Sequence, residues 1–194
     1  MKIAILGGSF NPPHLGHLLM ARQTLEFTDV DEVWLAPCYN HTFQKHLAPI
    51  NDRVAMTKML VEDKIKFCDE EIKNKLSGDS IDLLNILKKK CPRDQFYFII
   101  GSDNLAGFKR WGRWEKLITE NDFLIFPRPG FSTHLVDYDL DNKKYRFELV
   151  KNDLLVITNI SSTIVRERIE NKLLINHLVP DNLVKYIVNN NLYR

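Results

Sequence analysis

Two histidines three residues apart, His14 and His17, follow a turn of small residues and prolines, Gly7-Gly8-Ser9-Phe10-Asn11-Pro12-Pro13, which ends the apolar run Ile3–Leu6. That spacing brings both rings to one side of a first helical turn. Gly16 between them leaves room beside the rings. A helix start offers free backbone amides to an anion, and Gly7 and Gly8 let the backbone approach a ligand with no Cβ in the way. The combination suits a phosphate. It is neither the G-x-G-x-x-G dinucleotide fingerprint nor the G-x-x-x-x-G-K-[ST] P-loop. Two other readings compete. His-x-x-His can ligate zinc, but no Cys or carboxylate stands at supporting spacing, so no metal site is expected. The histidines could also be ordinary helix-start residues.

A second segment answers the first. Ser161-Ser162-Thr163 places three hydroxyls at a helix start, with Arg166 one turn in. By itself this is an ordinary N-cap cluster. Paired with the first segment it reads as a second anion site. Between them Gly101-Ser102-Asp103-Asn104 follows a strongly apolar run. Asp103 is acceptor-only when ionised, suited to sugar hydroxyls or to capping the next helix. Trp111, beside Gly112, can stack on an aromatic ring, whereas Trp114 reads as core packing. Lys45, in a polar loop, is a candidate phosphate contact, with a solvated lysine as the alternative.

These groups need elements to hold them. Ile3–Leu6, Glu32–Ala36, Ile65–Cys68, Gln95–Ile100, Phe123–Phe126 and Leu154–Thr158 read as strands. Helical patterns lie between them: Gly16–Phe27, Asn51–Leu60, one capped by Asp79 or Ser80 and stopped at Cys91-Pro92, Ser161 to about Lys172, and one opened by Pro180. Residues 131–152 read as a long polar loop with a weak edge strand at Tyr145–Val150. Strands separated by helices predict an α/β fold: a Rossmann-like, doubly wound, mostly parallel sheet with helices on both faces. Ligands of such sheets bind beyond the carboxyl ends of the strands, near the switch point.

At 194 residues one domain spanning 1–194 is expected. A net charge of +2 gives no argument for nucleic acid or an acidic membrane. No apolar run reaches the roughly 20 residues needed to span a bilayer. The three cysteines, Cys38, Cys68 and Cys91, are scattered, without C-x-x-C. This fits a reducing cytoplasm better than a disulfide framework.

The motifs GGSFNPPHLGH, GSDN…W and ISSTIVR resemble the nucleotidyltransferase superfamily with (H/T)xGH and SSTxxR signatures, most closely the bacterial nicotinate-mononucleotide adenylyltransferases. The likeness runs end to end and also takes in Lys45, Asp52-Arg53-Val54-Ala55-Met56 and Arg128-Pro129-Gly130. It implies adenylyl transfer from ATP to nicotinate mononucleotide, giving nicotinate adenine dinucleotide and pyrophosphate, with Mg²⁺ entering with ATP. It implies that Gly8, Ser9, Phe10, His14, His17, Gly101, Asp103, Ser161, Ser162, Thr163 and Arg166 bind ATP. His14, His17 and Arg166 are the catalytic set. Ser9, Phe10, Asn11, Lys45, Ser80, Trp111 and Arg128 take the mononucleotide. The attacking phosphate is already anionic at neutral pH, with a second pKa of about 6. The histidines are therefore expected to be donors that offset phosphate charge, not bases.

Relatives often carry Tyr-Thr-x-Asp-Thr-Leu where this chain has Asp79-Ser80-Ile81-Asp82-Leu83-Leu84. The choice between nicotinate and nicotinamide mononucleotide stays open, as does a homo-oligomer. Another adenylyltransferase of the superfamily, such as one acting on phosphopantetheine, and a nucleotide-binding regulator without turnover are the rival functions.

Overall fold

The structure, a computed structural model, describes residues 1–41 and 47–194. Six strands, β1 (Lys2–Gly8), β2 (Glu32–Pro37), β3 (Ile65–Phe67), β4 (Gln95–Gly101), β5 (Asp122–Phe126) and β6 (Arg146–Leu149), form one sheet in the order β3-β2-β1-β4-β5-β6. Every pairing is parallel. The helices are α1 (Leu15–Phe27), α2 (Ile50–Lys58), α3 (Glu70–Lys73), α4 (Ser80–Lys90), α5 (Trp114–Glu120), α6 (Ser162–Glu170) and α7 (Asp181–Asn189), with 3-10 segments at Ser102–Arg110 and Leu135–Tyr138.

Side chains alternate across the sheet, so each strand feeds two cores. Ala4, Leu6, Val33, Leu35, Ile99 and Leu124 pack with Ala21 of α1, Met56 of α2 and Leu183 and Ile187 of α7. Ile3, Ile5, Phe98, Ile100, Phe123 and Ile125 pack with Ile81, Leu84 and Leu87 of α4 and with Leu117 and Ile118 of α5. Burial on both faces is why these strands read as unbroken apolar runs. The chain winds outward from β1 to β3, then returns to β4 on the other side of β1. Strand order therefore reverses between β1 and β4, and the crevice beyond their carboxyl ends is the switch point.

One expected strand is absent. Leu154–Thr158 has strand composition but lies in an irregular segment, with Leu154, Val156 and Ile157 79%, 58% and 45% exposed. The edge position beside β5 is taken by β6, whose Phe147 and Leu149 stand opposite Phe123 and Ile125. Ring contacts of Phe147 with Phe123 (5.2 Å) and Phe108 (6.0 Å) favour that choice. Val156 finds a substitute partner in the carboxamide of Gln23, which donates to its carbonyl (2.8 Å) and accepts from its N–H (2.6 Å). The hydroxyl cluster at 161–163 is thus delivered by an extended surface segment, not by a strand end.

Gly7 also differs from expectation. A Cβ there would come within 2.6 Å of the Phe98 ring, so this glycine serves contact between β1 and β4 rather than access for a ligand.

Candidate active site

Beyond β1 the backbone turns sharply. Phe10, fully buried, sits at φ +46°, a left-handed conformation costing about 1 kcal/mol or more in a residue with a side chain. Asn11 and His14 are buried. His14 is extended and caps α1 (φ −151°, ψ 170°), and its N–H donates to His17 Nδ1 at 3.2 Å. With Nδ1 accepting, the His17 proton sits on Nε2. The two imidazoles lie 3.7 Å apart and Phe10 is 4.7 Å from His17. The expected role of Gly16 holds: a Cβ there would stand 2.9 Å from His14 Nδ1 and 3.2 Å from the Ile160 carbonyl. That Nδ1 is buried with no hydrogen-bond partner among the described residues.

Burial drives both histidines toward the neutral form, reinforced by the nearby Arg128 guanidinium. His17 falls to about 3, and His14 well below its ordinary value, where the His17 ring adds to the effect. At neutral pH His17 offers an Nε2–H dipole, and Arg128 and Arg166 are the cations. An unfolded histidine titrates at about 6.5. Between there and about 3 the unfolded chain binds more protons, so stability present above pH 6.5 is lost as pH falls through that window. Denaturant midpoints measured from pH 7 to pH 4 should fall less steeply in His17→Asn than in the parent. Equal slopes would show that His17 does not contribute.

The structure joins the two segments read as anion sites. Ser162 Oγ donates to the Pro12 carbonyl (2.8 Å), and Arg166 donates from Nη1 to the Asn11 carbonyl (2.7 Å) and from Nη2 to Thr163 Oγ1 (3.2 Å). Ser161 is the N-cap of α6, accepting from the Ile164 N–H at 3.2 Å. The Asn11 carboxamide oxygen accepts from the Ala48 N–H and from the Tyr193 hydroxyl, each at 3.0 Å. Asn11 and Ser161 therefore hold the frame with the atoms expected to meet substrate. Gly8 ends β1, with Ser9 half-buried beside it.

On the β4–β5 side, Arg128 donates from Nη2 to the Ile160 carbonyl (3.1 Å) and lies 3.8 Å from Asp103. A Cβ on Gly101 would meet Asp103 Oδ1 at 2.2 Å, so only glycine lets that carboxylate fold back over the strand end. Arg128 thus stands between the histidine pair and Asp103. Trp111 is half-buried, stacked on Phe108 (5.1 Å, 22°) and edge-on to Phe98 (6.1 Å), so one face belongs to the core. Trp114 packs on the same core, as its reading predicts. Ser80 opens α4. Asp79 before it is bound by Arg113 (3.2 Å), which also holds Asp82 (2.6 Å). The Asp79 carboxylate lies against Gly112, where a Cβ would be 2.2 Å away. The segments that carry Ser80 and Trp111 are joined through Asp79 in this way. Lys45 lies outside the described residues.

Sequence reasoning missed two buried groups. Arg53, read only as part of a motif, is fully buried beside the Ser9 turn. Glu71 is buried, its carboxyl pushed up to about 7 mainly by desolvation. No periodic signal marks a charged residue that folds inward. Among the described residues no group of three or more His, Cys, Asp or Glu could hold a metal ion.

The cytidylyltransferase-like family profile matches residues 5–168. The nicotinate-nucleotide adenylyltransferase of Bacillus subtilis is 33% identical across 99% of this chain and 98% of its own length. A probable nicotinate-nucleotide adenylyltransferase of Bacillus licheniformis is 34% identical over the same shares. The Plasmodium falciparum nicotinic acid mononucleotide adenylyltransferase, solved in complex with NaAD, superimposes with a TM-score of 0.84 at 26% identity, covering 99% of this chain and 97% of that one. With the strand order, the histidine turn and the α6 clamp, these likenesses place the chain in the nicotinate-nucleotide adenylyltransferase family of cytidylyltransferase-like nucleotidyltransferases.

Proposed function

We propose that this protein transfers the adenylyl group of ATP to nicotinate mononucleotide. An oxygen of the mononucleotide's 5′-phosphate bonds to the α-phosphorus, the bond from that phosphorus to the bridging β-oxygen breaks, and pyrophosphate leaves. The product is nicotinate adenine dinucleotide. The observation that carries this reading is the joining of the histidine turn to the start of α6 at the switch point, through Ser162–Pro12 and Arg166–Asn11. Two segments suited to anions meet beyond β1, which supports bringing two phosphates together there.

The nucleophile is already charged, so the protein's work is to offset charge and hold the phosphates in line. His17, with its Nε2 proton, donates to the α-phosphate, and His14 stands behind it. The amides after Gly8, with Ser9 and Phe10, line the space between the two phosphates. Ser162, Thr163 and Arg166 take the β- and γ-phosphates, with Ser161 capping their helix. Gly101 and Asp103 take the adenosine ribose. The free face of Trp111 receives the pyridine ring near Ser80, and Lys45 and Asn11 belong to the mononucleotide side. Arg128, beside the histidines, serves the reacting phosphates. Mg²⁺ comes bound to ATP and keeps waters, taking few protein ligands. Its three cysteines, unpaired, suit a reducing cytoplasm, and no helix among the described residues is long and apolar enough to cross a membrane.

A pyrophosphate-release assay with ATP and, in turn, nicotinate mononucleotide, nicotinamide mononucleotide and phosphopantetheine tests this. Release is expected with nicotinate mononucleotide. Faster release with nicotinamide mononucleotide would reverse the preference, release with phosphopantetheine alone would reassign the acceptor, and none at all would favour a nucleotide-binding regulator.

A further inference from the structure

Arg53 is a long cationic side chain only 2% exposed. Its guanidinium donates from Nε to the Ala48 carbonyl (3.2 Å), from Nη1 to those of Ser9 (3.0 Å) and Cys38 (2.8 Å), and from Nη2 to that of Tyr39 (3.2 Å). Three separate segments are pinned by one planar fork: the turn after β1, the loop after β2 and the approach to α2. Main-chain carbonyls satisfy the N–H groups but leave the charge uncancelled. Among the described residues no carboxylate forms an ion pair with Arg53. A buried charge without a counter-charge is costly, and a packed apolar residue could fill the same space. Ser9, Cys38 and Tyr39 lie at the carboxyl ends of β1 and β2, across the crevice from Gly101, Asp103 and Arg128.

We propose that Arg53 is a positioning residue for the mononucleotide. Its fork sets the Cys38–Tyr39 backbone on the mononucleotide side and the Ser9 turn between the two phosphates, and its buried charge supplies part of the field that holds the mononucleotide's phosphate. The proposal rests on the adenylyl-transfer reading. It predicts an asymmetry that a merely structural residue would not produce: removing Arg53 harms mononucleotide use far more than ATP use.

The test uses the full chain carrying Arg53→Met or Arg53→Lys, with initial rates at varied nicotinate mononucleotide and varied ATP. The mononucleotide KM should rise about tenfold or more in Arg53→Met, with the ATP KM changed less than about threefold. Arg53→Lys, which keeps the charge and loses the fork, should lie between Arg53→Met and the parent. Folded variants in which both KM values stay at the parent's, or rise in parallel, would overturn the proposal. Should neither variant fold, amide exchange on the parent protein decides it. Nicotinate mononucleotide alone should slow exchange at Tyr39, and ATP alone should not. Protection by ATP alone, or by neither, overturns it. Failure of the parent to release pyrophosphate would sink the reaction assignment instead, and the exchange experiment would still report whether the Arg53-held loop meets the mononucleotide.

Discussion

His17→Ala is expected to lower kcat by about 10²-fold or more, the scale for losing one preorganised donor at a charge-developing centre, while the protein stays folded. His17 lies in the first turn of α1 with its Nδ1 already committed to the His14 N–H, so the ring cannot rotate away and Nε2–H points from a fixed place. A donor held this way pays no reorganisation as charge gathers on the transferring phosphate. The KM for ATP should move much less than kcat, because the interaction strengthens in the transition state. The variant also leaves the His14 N–H without its acceptor, at a stability cost of about 1 kcal/mol. Steady-state kinetics with circular dichroism on the same sample checks both parts. Near-parent turnover in a folded His17→Ala protein would remove His17 from the chemistry.

Arg166→Ala should act on the other half of the crevice. Two of its N–H groups already bond Asn11 and Thr163, so the guanidinium is fixed at the start of α6, with the rest of the fork free for phosphate oxygens. Losing a hydrogen bond to a charged group costs about 1.5–3 kcal/mol, which corresponds to a rise in the ATP KM of about 10- to 150-fold. The mononucleotide KM should respond less. Lysine is a poor replacement, since a point charge cannot hold both Asn11 and Thr163. ATP dependence unchanged in Arg166→Ala would leave the hydroxyl cluster as a helix cap and nothing more.

Much of this architecture is legible in the sequence because the sheet is buried on both faces. Ile3–Leu6, Phe96–Ile100 and Phe123–Phe126 are unbroken apolar runs, and each lies in a strand. The histidine turn is legible for a different reason: glycine, proline and His-x-Gly-His leave few local conformations. Leu154–Thr158 misleads because local composition says what a segment can be, not whether a sheet edge is free. β6 has the better aromatic contacts and occupies that edge. The four-residue α3 is too short to show a period, and α5 carries only one apolar repeat, Trp114, Leu117 and Ile118. Arg53 escapes a local reading, and Arg128 is singled out only by the family resemblance. Arg53 reaches Ser9 across 44 residues and Arg128 reaches Ile160 across 32, and only the folded chain brings those carbonyls to them.

The turn that carries the histidines is held by residues far along the chain. Its Asn11 is bound by Arg166, 155 positions later, and by Tyr193, 182 positions later. Translation makes the turn well before these two holders. A nascent chain can therefore close α1 and pair β1 with β2 and β4, with Ala48 and Arg53 already on the turn, while the contacts from Arg166 and Tyr193 are still missing. The late residues that complete one core, Leu183 and Ile187 of α7, come from the same stretch as those that hold Asn11, so closing that core and setting the histidine turn are one event.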